Sequence, residues 1–179
     1  MTMLKVLKYP DPFLKTKTKT QPPADLSADL SSDLPGNTSW AQIKADMLET
    51  MYAEQGVGLA ATQVGLNLRL FVMDCSETRD QPKIFINPII TEKLEEIDSE
   101  EGCLSFPGIY VNVKRARKIT VTALDIHGQS FTETYVGLEA RCVQHEIDHL
   151  DGIVFLDYLQ PVKRKMLEKK LQKLQKRTL

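Results

Sequence analysis

The segment Gln144-His145-Glu146-Ile147-Asp148-His149 sets two imidazoles four residues apart with a carboxylate between them. Residues four apart project from one helix face, so His145 and His149 can grip a single metal ion. Glu146 leans toward the edge of that face, where it can take a proton from a water bound to the metal. The spacing therefore describes a hydrolytic mechanism as well as a pattern. A helix can carry histidines for packing or solvation alone, but this chain has only three, and two of them fall in this run.

A tetrahedral catalytic metal needs one further protein ligand, because its fourth position is kept for water. Cys142, Asp148 and Cys103 are the candidates. The first two lie on the same helix, and three ligands from successive turns of a straight helix converge poorly. Asp148 suits better the task of orienting an imidazole from behind. Cys103 sits in Glu101-Gly102-Cys103-Leu104-Ser105-Phe106-Pro107-Gly108, too broken by Gly and Pro for a regular helix, so its thiolate could reach the histidines from another element. Taken singly, each thiol is more often a small buried hydrophobe than a ligand. A Cys-His-His set with an open position suits zinc or divalent iron, nickel or cobalt, and ligand type alone does not choose among them.

The elements that would position these groups can be read from periodicity. Gly137 to Leu150 reads as a helix that Gly152 terminates, so the metal motif is helical. Ser39 followed by Gln42 is a capping box, after which Trp40, Ile43, Met47 and Met51 fall at helical spacing until Gly56 ends the run. Leu68 to Met73 and Ile84 to Ile90 read as strands. Lys118 to Ile126 and Ser130 to Val136 read as a hairpin, with His127 a solvated residue at its tip. Thr20 to Asn37, rich in Pro, Ser and Asp, reads as a surface loop. Pro161 opens a final helix whose apolar face is Met166, Leu167, Leu171 and Leu174, set among many lysines. Helices at both ends with strands between predict an α+β domain.

At 179 residues the chain fits one domain, residues 1–179, and a net charge of −1 makes no overall demand for nucleic acid. DNA and membrane are not expected partners: no stretch is of membrane length, and the first residues lack a signal-peptide core. Three cysteines, an odd and sparse set, argue against a disulfide scaffold and for a reducing compartment. A cytoplasmic, bacterial location is expected, with an organelle as the alternative.

Three ordered motifs resemble those of the peptide deformylase family: Gly56-Val57-Gly58-Leu59-Ala60-Ala61-Thr62-Gln63, Glu101-Gly102-Cys103-Leu104-Ser105 and Gln144-His145-Glu146-Ile147-Asp148-His149. The resemblance spans nearly the whole chain, including Tyr9-Pro10-Asp11 and the lysine-rich terminal helix. It implies a deformylase-like fold, with antiparallel or mixed sheets around a central metal-binding helix and a C-terminal helix. It further implies removal of the formyl group from the N-terminal methionine of nascent polypeptides. The ligands so implied are Cys103, His145 and His149, holding one divalent ion, ferrous iron first and zinc, nickel or cobalt as alternatives. Glu146 is the implied catalytic carboxylate, with Gln63 and the backbone N–H of Leu104 as oxyanion donors. Val57, Gly58, Gly102, Leu138 and Cys142 lie next to the motifs as candidate substrate-binding residues. Arg141 and Tyr110 depart from the resembled pattern, which commonly has an apolar residue at the first and in some members an arginine at the second. As in similar proteins, the basic terminal helix is expected to dock on the ribosome.

Two other readings compete. H-E-x-x-H also serves zinc peptidases, though these usually complete the metal with His or Glu and not with a thiolate such as Cys103. The second is an inactive metal-binding protein, against which Glu146 and Gln63 both speak.

Overall fold

The structure, a computed structural model, describes residues 2–20 and 39–176. Most of the expected surface loop, 21–37, lies outside the described residues. Within the described residues five strands, β1 (Gly58–Ala60), β2 (Leu70–Met73), β3 (Lys83–Gly102), β4 (Tyr110–Leu124) and β5 (Ser130–Val136), form one antiparallel sheet in chain order. Among the described residues three α-helices, α1 (Trp40–Ala53), α2 (Gly137–Leu150) and α3 (Pro161–Lys176), pack around it.

The short strands are apolar throughout because each of their faces is covered. Leu59, Leu70, Val72, Ile84 and Ile86 pack on one side with Trp40, Ile43, Met47 and Met51 of α1. Their neighbours Ala60, Phe71, Met73 and Phe85 turn to the other side, against Ala140, Val143, Ile147 and Leu150 of α2. The period-2 alternation of a strand thus divides one run of residues between two cores. A third cluster joins Leu14, Phe106, Ile109, Val111, Val113 and Phe155 to Leu171 of α3.

Helix α2 is pinned to the sheet by Gln144. Its amide accepts from the Ala116 N–H at 3.0 Å and donates to the Ala116 carbonyl at 2.8 Å, so one side chain pairs with β4 as a strand would. Helix α1 begins as expected, Ser39 accepting from the Gln42 N–H. The reciprocal half of the capping box is not made, since the Gln42 side chain bonds Asp46 instead.

Several boundaries depart from the sequence reading. Strand β3 continues twelve residues past Ile90 as a ribbon with β4, which itself begins eight residues before Lys118. Residues such as Glu92, Lys93, Glu95 and Glu96 are exposed on this ribbon, so no apolar alternation marks it. Gly56 does not end α1 by a left-handed turn: that conformation falls to Gln55, at φ 59°. A Cβ on Gly56 would instead stand 2.7 Å from Leu104 Cδ1, so a larger residue there would have to displace that side chain. On α3, Met166 faces outward at 66% exposure, and Leu167, Leu171 and Leu174 alone make the inner face.

Candidate metal centre

Cys103 is the first residue beyond the long β3 strand, where the turn to β4 begins with Phe106 N–H bonding the Cys103 carbonyl. His145 and His149 stand one turn apart on α2. One donor atom from each of the three lies within 4.8 Å of the others, and Cys103 Sγ is 3.3 Å from His149 Nε2. Tetrahedral bonds of metal–sulfur and metal–nitrogen length set such a pair about 3.5 Å apart, so the donors fit one cation. Cys142 and Asp148 do not join the group.

Glu101, not Asp148, orients an imidazole. Its Oε2 lies 2.9 Å from His145 Nδ1, which turns the other ring nitrogen toward the cluster. Arg115 grips Glu101 through two bonds of 2.8 and 3.0 Å and reaches Asp148 at 2.6 Å, while Tyr158 donates its hydroxyl to the same Asp148 oxygen. Asp148 therefore acts on the site through the guanidinium. Burial opposes charge on Glu101, but its bonds to His145 and Arg115 overcome that and hold the carboxyl at about 2. Sequence reasoning gave Glu101 no role and missed Arg115. The available signal was Val111, Val113 and Arg115 on alternate positions of one strand, which puts an arginine on an inward face.

The two rings are driven apart electrostatically. Burial lowers His145, but the nearby Cys103 sulfur and Glu101 outweigh it and hold the ring well above its ordinary pKa. His149 is pushed well below by burial and by its neighbour's charge. A divalent cation held there would displace the proton that Cys103 and Glu101 favour on His145.

Glu146 is 4% exposed, and its Oε2 has no hydrogen-bond partner among the described residues. Burial raises its carboxyl to about 7, where it can both take and return a proton at neutral pH. A Cβ on Gly58 would fall 2.5 Å from Glu146 Oε1 and 2.7 Å from Cys142 Sγ, so glycine at 58 makes room for the carboxylate. Gln63 lies in a short 3-10 turn, Ala61–Val64. Its Oε1 accepts from the Ala60 N–H at 2.9 Å, which leaves the NH2 to point at Cys103 Sγ, 3.5 Å away, and at Ser105 Oγ, 3.2 Å away.

A cleft of about 540 Å³ opens onto these groups. Val57, Gly58, Gln63, Gly102, Cys103, Leu104, Leu138, Cys142, His145 and Glu146 all line it, and His149 is buried behind. Arg141 and Tyr110 line it too, Tyr110 with its ring over Gly102 and Arg141 with Nη1 3.5 Å from Ser99 Oγ. His127 is an exposed turn residue, as expected.

The sequence profile described as polypeptide deformylase matches residues 3–165. This chain belongs to that family. It is 46% identical over 179 residues to a peptide deformylase of Neisseria meningitidis, all of both chains being covered. Among solved structures, a peptide deformylase from Legionella pneumophila is 40% identical with a TM-score of 0.86, over 99% of this chain and 98% of that one. A peptide deformylase from Ehrlichia chaffeensis in complex with actinonin is 37% identical with a TM-score of 0.83, over 97% and 98%. The α+β arrangement of antiparallel strands around α2 is thus the deformylase fold. No helix among the described residues is long and apolar enough to cross a membrane.

Proposed function

We propose that this cleft removes the formyl group from the N-terminal methionine of newly made polypeptides, with Cys103, His145 and His149 holding one divalent cation. As a member of the polypeptide deformylase family, the chain is a metal-dependent hydrolase. The observation that carries the assignment of roles is the convergence of one sulfur and two ring nitrogens within 4.8 Å, beside a buried carboxylate with a free oxygen.

A cation held by Cys103, His145 and His149 would supply Lewis acidity, lowering the pKa of a bound water. Glu146 accepts the water's proton and later returns it to the leaving amine, freeing the peptide N-terminus and formate. The Gln63 NH2, aimed by its bond from Ala60, and the backbone N–H of Leu104 donate to the oxygen on which charge develops. Val57, Gly58, Gly102, Leu138 and Cys142 bound the methionine side chain and adjoining backbone, and the bare backbone at Gly56 and Gly58 suits strand-like pairing with an extended peptide. Ferrous iron is the proposed native ion, with zinc, nickel or cobalt able to occupy the same donors. We further assign residues 1–179 to one catalytic domain, the cytoplasm as its location, and the lysine-rich α3 as a contact to the ribosome.

Formyl-Met-Ala-Ser, acetyl-Met-Ala-Ser and a longer unformylated peptide separate this reading from a peptidase. Formate release from the first alone, together with one metal ion per chain by elemental analysis, is the expected result. Cleavage confined to the unformylated peptide overturns it.

A further inference from the structure

Cys75 and Cys142 stand outside the proposed ligand set, yet Cys75 packs against the core cluster to which Cys142 belongs. The fold brings them together from two directions. Strand β2 ends at Met73, opposite Gly58, and the pairing continues one step further through Asp74 N–H to the Val57 carbonyl at 2.9 Å. Cys75, two residues past Met73, faces the same side as Met73 and packs on the cluster that includes Cys142. The Cys142 Sγ lies 3.7 Å from that same Val57 carbonyl, so both cysteines converge on one short piece of backbone. The third cysteine, Cys103, belongs to the proposed metal centre.

The two thiols also face different spaces. Cys142 lines the substrate cleft, whereas half-exposed Cys75 lines a separate groove with Asp74, Ser76, Lys83 and Glu139. An oxidant can therefore reach Cys75 without entering the cleft. The neighbouring Cys142 thiol holds the Cys75 thiol below its ordinary pKa, which raises the share of reactive thiolate.

We propose that Cys75 and Cys142 form a reversible thiol–disulfide pair that responds to hydroperoxides and reshapes the wall of the substrate cleft. The Cys75 thiolate attacks the hydroperoxide, the O–O bond breaks, and Cys75 becomes a sulfenic acid while the peroxide leaves as water or an alcohol. The Cys142 sulfur then attacks the Cys75 sulfur, forming the S–S bond and releasing the hydroxyl as water. In total the two thiols give up two electrons and two protons to one hydroperoxide. A dithiol such as thioredoxin or dithiothreitol restores the pair. Disulfide formation draws Cys142 Sγ toward Cys75 and away from the space between Gly58 and the cleft, so its effect falls on substrate binding. That consequence rests on the function proposed above, whereas the cross-link itself does not.

The test uses the zinc-loaded full chain, since zinc undergoes no redox change and occupies the Cys103 thiolate. After treatment with hydrogen peroxide, peptide mapping under non-reducing conditions is expected to show Cys75 joined to Cys142, and dithiothreitol to separate them. With formyl-Met-Ala-Ser, KM is expected to rise about threefold or more while kcat stays within about twofold, both reverting on reduction. Cys75→Ser leaves basal activity unchanged and removes both the cross-link and the KM response. Absence of the Cys75–Cys142 peptide, a cross-link through Cys103, or an equal KM response in Cys75→Ser overturns the proposal. Because mapping needs no turnover, a cross-link in a chain inactive toward formyl peptides counts against the proposed substrate alone.

Discussion

In the interior behind the cleft, Glu101, Arg115, Asp148 and Tyr158 form a chain of hydrogen bonds that ends on His145. Along its outer wall Val57, Leu138 and Tyr110 are 37%, 46% and 66% exposed. The first wall is fixed because imidazoles must meet a cation within tenths of an ångström, and a buried charge without its partner is strongly destabilising. The second meets a side chain and an extended backbone, for which shape and apolar surface suffice. Substitution should therefore be punished severely on one wall and lightly on the other.

The contrast is tested hardest at Glu146. Glu146→Gln keeps the size of the side chain and removes its ability to accept a proton. We expect kcat to fall by about 1,000-fold or more with one metal ion per chain retained, checked by formate release and elemental analysis; near-normal turnover would remove the proton shuttle from the mechanism. Next comes Arg115→Met, which strands two carboxylates in the interior. A loss of about 3 kcal/mol or more in urea unfolding is expected, and a loss below about 1 kcal/mol would mean that the chain of charges is ornamental.

Acid sharpens the same comparison. Glu101 is held at about 2 in the folded chain against an ordinary 4.5, so its contribution to stability is fully present above about pH 4.5 and is lost as pH falls toward 2. Urea midpoints measured down this range should decline in the parent chain and decline less in Arg115→Met, where part of the cause is absent; parallel curves would contradict the assignment. The smallest effect is expected at Tyr110→Ala. It should shift KM by less than about fivefold and leave stability within about 0.5 kcal/mol, and a collapse of kcat would show that the two walls are not distinct.

What the sequence disclosed follows the same division of local from long-range information. His145, Glu146 and His149 are legible because one helix turn relates them, whereas Cys103 is one candidate among several until Glu101-Gly102-Cys103-Leu104-Ser105 is matched to a family motif. The role of Glu101 depends on β3 pairing β4 with Gly102 opposite Tyr110 and Ile97 opposite Arg115, a register that no short window contains. The ribbon itself escaped because Glu92 to Glu96 are exposed and lack any apolar alternation. Gln55 escaped because a left-handed glutamine is uncommon, whereas Gly56 beside it looks like the natural place to turn.

The proposed ligands Cys103 and His149 are 46 residues apart in the chain, one at the tip of a ribbon and the other within a helix. An ion that bridges them binds the native fold and not the open chain, so by mass action its concentration sets how often the molecule unfolds. Scarcity of metal in the cell would then deplete the enzyme by exposing it to proteases, and its abundance would track metal supply as closely as its turnover does.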